Sequence, residues 1–233
     1  ADEMLRSLVG SEMCIRDSSK NTAIGQASVK ITGKGLYKGT KTVNFNIRPA
    51  TVTKLKVSST GEKSVKLSWK KVTGADSYAI YRYDSTSKKW QRIKTVKAVS
   101  FTDSGLARAK GYSYKVKAVK KSGGKEYISA SYSKAIEAVT KPAKASCTAK
   151  SAGSGSIEVS WKAVGGASGY EIYSSSNGSD YVKSAKVGGS QKSAIVSGFE
   201  PYSLRMVKVR AYKTVNGKTS YGAFSQAAMV IVR

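Results

Sequence analysis

Two passages of this chain repeat one another 92 residues apart. Val65-Lys-Leu-Ser-Trp69 is answered by Ile157-Glu-Val-Ser-Trp161, an offset of 161 − 69 = 92. Ser77-Tyr-Ala-Ile-Tyr81 is answered by Gly169-Tyr-Glu-Ile-Tyr173 at the same offset. Tyr114-Lys-Val-Lys-Ala118 returns as Val207-Lys-Val-Arg-Ala211, one residue further on. A period of about 90 residues is too long for a solenoid repeat and suits a whole small domain. The chain must therefore fold as a series of similar units.

Within each unit the residues alternate at period two, rich in Val, Ile, Tyr and Thr and punctuated by Gly, which is the pattern of half-buried strands. Gly123-Gly124 and Asn216-Gly217 fall between alternating runs, and Asn-Gly supplies the positive φ angles of a tight hairpin. No segment has helical periodicity. Short strands at this spacing predict an all-β chain of tandem immunoglobulin-like antiparallel β-sandwiches, each of about seven strands. Pro49 and Pro142 mark the cuts, giving units at 50–141 and 142–233. Trp69 and Trp161 sit inside apolar alternations and are expected in the two cores rather than on a sugar-stacking surface.

Apolar cores must carry the stability, because Cys147 stands alone once Cys14 in the unusual N-terminal stretch is set aside. No apolar run is long enough to span a bilayer. The net charge of +27 is uneven, with 21 basic against 6 acidic side chains in 50–141 and 12 against 4 in 142–233. Such a surface attracts polyanions, although the lysines are spread along the chain rather than gathered in one block.

Chemistry is poorly provided for. The chain has no histidine, which removes the commonest general base, the commonest metal ligand and ordinary Ser-His triads. Carboxylates are scattered, and nothing in the sequence pairs two of them for glycoside cleavage. The glycine pair Gly188-Gly189 reads as a turn, since no helix follows to make a phosphate loop. No catalytic residue, cofactor or metal is expected, and the chain is read as non-enzymatic.

Binding is the better expectation. Alternation sends Tyr78, Ile80, Tyr114, Val116 and Ala118 inward, so Tyr81, Tyr83, Lys115 and Lys117 point outward from neighbouring strands of one sheet. Trp90, on the next strand, is expected near the same face. Tyr173, Lys208 and Arg210 repeat the arrangement in the second unit. Aromatic rings beside cations can stack sugars and pair with acidic groups; ordinary cross-strand packing on a solvated face is the plainer alternative.

The Trp of the second strand, the Tyr-x-Ile of the third, and the spacing from Leu106 to Tyr112 resemble fibronectin type III domains over residues 50–233. The resemblance implies a tyrosine corner at Tyr112, which Phe199, Pro201 and Arg205 replace in the second unit. The wording around Trp69 and Val209 is similar to modules of Gram-positive bacterial surface and secreted proteins. That likeness implies an extracellular or cell-surface place and a role as non-catalytic spacer and interaction modules contacting anionic cell-wall polymers, polysaccharides or a host surface protein. Nucleic acid would be bound only non-specifically, and no membrane insertion is expected. The alternatives are accessory linkers of a secreted glycoside hydrolase, or an adhesin. Residues 20–49 resemble the closing strands of a bacterial immunoglobulin-like domain. Residues 8–18 resemble a translated sequencing adapter, so residues 1–19 are expected to be an adapter-derived, disordered segment in place of the natural beginning.

Overall fold

The alternating runs become strands wherever they occur, and no helix is found among the described residues. The structure, a computed structural model, describes residues 15–19, 22–33 and 38–233. Residues 1–14, 20–21 and 34–37 of the expected N-terminal segments lie outside the described residues. A three-stranded ribbon comes first: β1 (Ile15–Ser19), β2 (Gly25–Thr32) and β3 (Thr40–Ile47), with β2 in the middle.

The expectation that residues 1–19 are disordered needs correction for its last part. β1 pairs antiparallel with β2, from Ile15 opposite Thr32 to Ser19 opposite Ser28. The cause lies in the backbone: β2 would otherwise present a free edge of N–H and C=O groups, and a short extended segment of almost any composition can satisfy it. The ribbon also touches the first sandwich. Ile24 packs over Gly74, where an added Cβ would lie 2.7 Å from its δ-methyl. Arg48 donates to the Ile128 carbonyl at 3.4 Å.

The first sandwich contains β4 (Lys56–Thr60), β5 (Ser64–Ser68), β6 (Ser77–Asp84), β7 (Lys89–Val96), β8 (Ser100–Ser104), β9 (Gly111–Ser122), β10 (Lys125–Ile128) and β11 (Ile136–Val139). One sheet has the order β4–β5–β8. The other has β10–β9–β6–β7, with β11 also paired to β9. The second sandwich repeats this plan in β12 (Thr148–Gly153), β13 (Ser156–Ser160), β14 (Gly169–Ser175), β15 (Val182–Gly188), β16 (Ser193–Val196), β17 (Leu204–Val215), β18 (Lys218–Tyr221) and β19 (Ala228–Ile231). Its sheets are β12–β13–β16 and β15–β14–β17–β18, with β19 on β17. In each sandwich the seventh strand is thus split in two, both pieces pairing with one long sixth strand.

Each core lies between its two sheets. Val65, Leu67, Trp69, Tyr78, Ile80, Tyr114 and Val116 form the first; Ile157, Val159, Trp161, Tyr170, Ile172, Val207 and Val209 form the second. Trp69 meets Tyr78 edge-on at 5.3 Å, and Trp161 meets Tyr170 at 5.1 Å. Both tyrosine hydroxyls accept a backbone N–H six residues upstream, from Val72 at 2.9 Å and Val164 at 2.7 Å. A buried ring thereby keeps its polar tip satisfied. The Tyr112 hydroxyl accepts from the Ala107 N–H at 2.9 Å and closes the corner before the sixth strand. In the second sandwich Arg205 instead stacks on Phe199, 4.9 Å from its centroid.

The junction has little slack. Thr140, fully buried, donates its N–H to the Lys110 carbonyl and its hydroxyl to that of Ala107. Across the junction Asn216 donates to the Glu137 carboxylate and Lys218 to the Glu137 carbonyl, both at 3.0 Å.

Candidate ligand-binding face

The outward side of the β7–β6–β9 sheet carries the residues singled out in the sequence, and register brings them together. Tyr81 lies opposite Lys115 on β9. A bulge after Ile80 resets the pairing with β7, so that Tyr83 lies opposite Trp90. Their rings are 5.4 Å apart. The Lys115 ammonium stands 4.3 Å from the Trp90 centroid. Lys117 follows two residues along the same strand and therefore faces the same way.

One contributor was not anticipated. The segment between β10 and β11 runs along the edge of β9, bonded to it through Ser129 and Ser133, and lays Tyr132 on this face. Its ring meets Tyr81 edge-on at 5.0 Å and lies 5.3 Å from the Lys115 ammonium and 4.2 Å from that of Lys117. Tyr81, Tyr83, Trp90, Lys115, Lys117 and Tyr132 thus make one continuous patch of rings and cations. Burial pushes the Tyr81 phenol above its ordinary range, so it remains a neutral hydrogen-bonding group. The Lys117 ammonium also donates to the Ala130 carbonyl at 3.0 Å, which orients it without neutralising it. Among the described residues no ion pair involves Lys115 or Lys117; the neighbouring carboxylate, Glu126, is paired with Arg92 at 3.1 Å.

The equivalent face of the second sandwich is built differently. Tyr173 lies opposite Lys208, and Glu171 opposite Arg210. Arg210 is packed against three rings, with its guanidinium 4.2 Å from Tyr221, 4.8 Å from Phe224 and 5.1 Å from Tyr173. Two of its nitrogens donate to one Glu171 oxygen, at 2.7 and 2.9 Å. Lys183 donates to the other at 3.2 Å, and the Tyr173 hydroxyl adds a further bond. The Glu171 side chain is only 1% exposed. Burial alone would raise its pKa, but the hydrogen bonds from Arg210 and Lys183 outweigh burial and hold it below the ordinary carboxylate range. Lys208 stands apart from this cluster, 4.0 Å over Tyr181. Arg210 is therefore already occupied by Glu171, and Lys208 is left as a cation without an ion pair among the described residues.

The difference comes down to one register position. Glu171 corresponds to Ala79 at the 92-residue offset, and Ala79 is fully buried. Tyr132 and Phe224 share the same offset, as do their edge-on contacts with Tyr81 and Tyr173, both at 5.0 Å. The repeat itself was the signal that could have found them: an aromatic followed by serine, Tyr132-Ser133 and Phe224-Ser225.

Other polar groups are structural. Asp103 is buried, accepting from the Tyr114 hydroxyl and from Arg82, each at 2.8 Å. Burial first, then this hydrogen bond, pushes the Tyr114 phenol far above its ordinary range. Cys147 is half-buried, and desolvation raises its thiol too. Among the described residues no group of three or more acidic or cysteine side chains is placed to hold a metal ion.

No family model matches the chain. The poly(3-hydroxybutyrate) depolymerase of Ralstonia pickettii is 40% identical over 100 residues, which is 43% of this chain and 18% of that protein. The matched part is thus under a fifth of the depolymerase. Among solved structures, the FN1-FN3 domains of chicken CNTN1 align over 89% of this chain and 77% of theirs, with 17% identity and a TM-score of 0.41. A segment of two fibronectin type III domains from chicken tenascin aligns over 78% of this chain and 98% of its own, with 19% identity and a TM-score of 0.46. The sandwich assignment itself rests on strand order and register.

Proposed function

We propose that this chain is a pair of non-catalytic spacer and interaction modules of an exported bacterial protein, and that the first module contacts an anionic polysaccharide or wall polymer through its basic aromatic face. One observation carries this reading. Lys115 and Lys117 stand over Trp90 and Tyr132 with no carboxylate in ion-pair contact among the described residues, whereas the equivalent Arg210 is neutralised by Glu171. Exposed rings offer flat apolar surface to sugar faces, and the ammonium groups pair with carboxylate or phosphate. The excess of basic residues in 50–141 supplies the longer-range attraction.

The test is titration of the full chain with an acidic polysaccharide and with teichoic acid at two salt concentrations. Binding should weaken with salt, because the attraction between exposed charges is screened. Replacing Lys115 and Lys117 by Gln should weaken it about tenfold at low salt. Replacing the exposed Lys162 and Lys192 of the second module should change it little. Equal losses from both pairs would mean general charge attraction without a site, and no binding at moderate salt would leave only the spacer role.

The match to the depolymerase favours a second reading. The modules would then be an accessory segment of a secreted polymer-degrading enzyme, holding its catalytic domain at the polymer. Retention of the chain on a neutral, insoluble polymer despite high salt would favour it.

A further inference from the structure

The second sandwich exposes a strip of apolar side chains where the first sandwich makes its junction. Leu204 pairs with Ile231 and Met206 with Met229 across β17 and β19. All four face outward, on the side of the sheet that bears Lys208 and Arg210. Leu204, Met229 and Ile231 are 44%, 68% and 61% exposed. Contiguous apolar exposure of this kind costs solubility unless something covers it.

The repeat shows what covers the same strip in the first sandwich. The corresponding residues are Gly111, paired with Val139, and Ser113, paired with Glu137. The β17–β18 hairpin of the second sandwich sits on them. Val215 packs so closely that a Cβ on Gly111 would lie 2.9 Å from one of its methyl groups. Asn216 walls a cleft with the same residues and bonds to Glu137. The backbone also leaves the two sandwiches along equivalent paths: the Val232 N–H donates to the Ser203 carbonyl as the Thr140 N–H donates to that of Lys110.

We infer that the strip formed by Leu204, Met206, Met229 and Ile231 is a docking surface for the β17–β18-type hairpin of a further β-sandwich of the same kind. The hairpin would lie across the outward face of β17 and β19. Its apolar shoulder, the counterpart of Val215, would contact Leu204 and Ile231. This junction would be more apolar than the first, because Leu204 and Met229 stand where the first has Gly111 and Glu137.

The experiment extends the full chain with a second copy of residues 142–233 directly after Arg233. In the added copy the counterpart of Met229 is replaced by Leu, so that only the inner Met229 reports. Oxidation of Met229 by dilute peroxide should be about fivefold slower, or more, than in the parent chain, since a covered thioether is shielded. Two variants should each restore the parent rate: Leu204→Lys with Ile231→Lys on the strip, and Asp in place of the added copy's counterpart of Val215. The latter leaves the strip itself unaltered and guards against a folding defect. Equal rates in the extended and parent chains would overturn the inference, as would protection that survives both variants. Concentration-dependent protection of Met229 in the parent chain would also overturn it, because the occupant would then be a second copy.

Discussion

At position 171 the second sandwich carries a glutamate where the first carries Ala79, and the consequences for both faces follow from that exchange. A carboxylate so thoroughly covered is tolerable only because Arg210 and Lys183 satisfy it. Removing one partner of such a pair leaves a buried, uncompensated charge. Arg210→Ala should therefore cost the second sandwich about 3–5 kcal/mol, and Glu171→Gln less, since the amide oxygen still accepts from Arg210. The pH dependence has a definite sign. In the folded chain Glu171 holds its proton less tightly than the ordinary value of 4.5. Its contribution is thus complete above about pH 4.5 and is lost as pH falls through the lower folded value. Denaturant titrations at about pH 6 and pH 3 should show a loss in the second sandwich that Glu171→Gln greatly reduces. Equal acid sensitivity of the two proteins would refute this assignment.

The split seventh strand is the element on which the candidate face depends. Between β10 and β11, Ser133 bonds to Val116 twice: its N–H donates to the Val116 carbonyl, and its hydroxyl accepts the Val116 N–H, both at 2.9 Å. Ser225 holds Val209 in the same way in the second sandwich, at 2.8 and 3.0 Å. The side chain supplies the acceptor that a continuous strand would have supplied from its backbone. The linking segment is thereby pinned to the edge of β9 with Tyr132 over the face. Ser133→Ala should cost about 1–3 kcal/mol by leaving a buried N–H without an acceptor. It should also weaken the Tyr132 contacts, visible as faster exchange of the Val116 amide; an unchanged amide would count against this role. The strands and both tryptophan cores could be read from alternation because side-chain parity is a local property. Tyr81, Tyr83, Trp90, Lys115 and Lys117 could be placed on one face for the same reason. Tyr132 could not, since its segment reads as a loop and its position is fixed by hydrogen bonds to a distant strand. Parity also assigned Arg210 to the outer face correctly, but it could not reveal that Glu171 and three rings close over that position.

For the whole molecule, the junction decides whether the two sandwiches move as one body. It relies on the contact of Val215 with Gly111 and on the bonds from Asn216 and Lys218 to Glu137. Gly111→Asp, which sets a carboxylate against the Val215 methyls, should push the hairpin away. Because Gly111 lies outside both cores, each sandwich should keep its own stability within about 0.5 kcal/mol. Backbone relaxation should show the two units tumbling more independently in the variant. Unchanged tumbling would mean that the linker around Thr140 suffices to hold them.

The occupation of Arg210 in the second face has a consequence for valency. A rigid pair with two open faces would clamp a long polyanion twice, and the second contact would form at high effective concentration. With Arg210 already matched by Glu171, the pair would, on the proposed binding role, offer one full foothold. Affinity should then stop rising once an oligosaccharide is long enough to cover the patch around Trp90 and Tyr132. Avidity would have to come from repetition of the pair along a longer array or across a crowded surface, where spacing between footholds would be set by the length of the second sandwich.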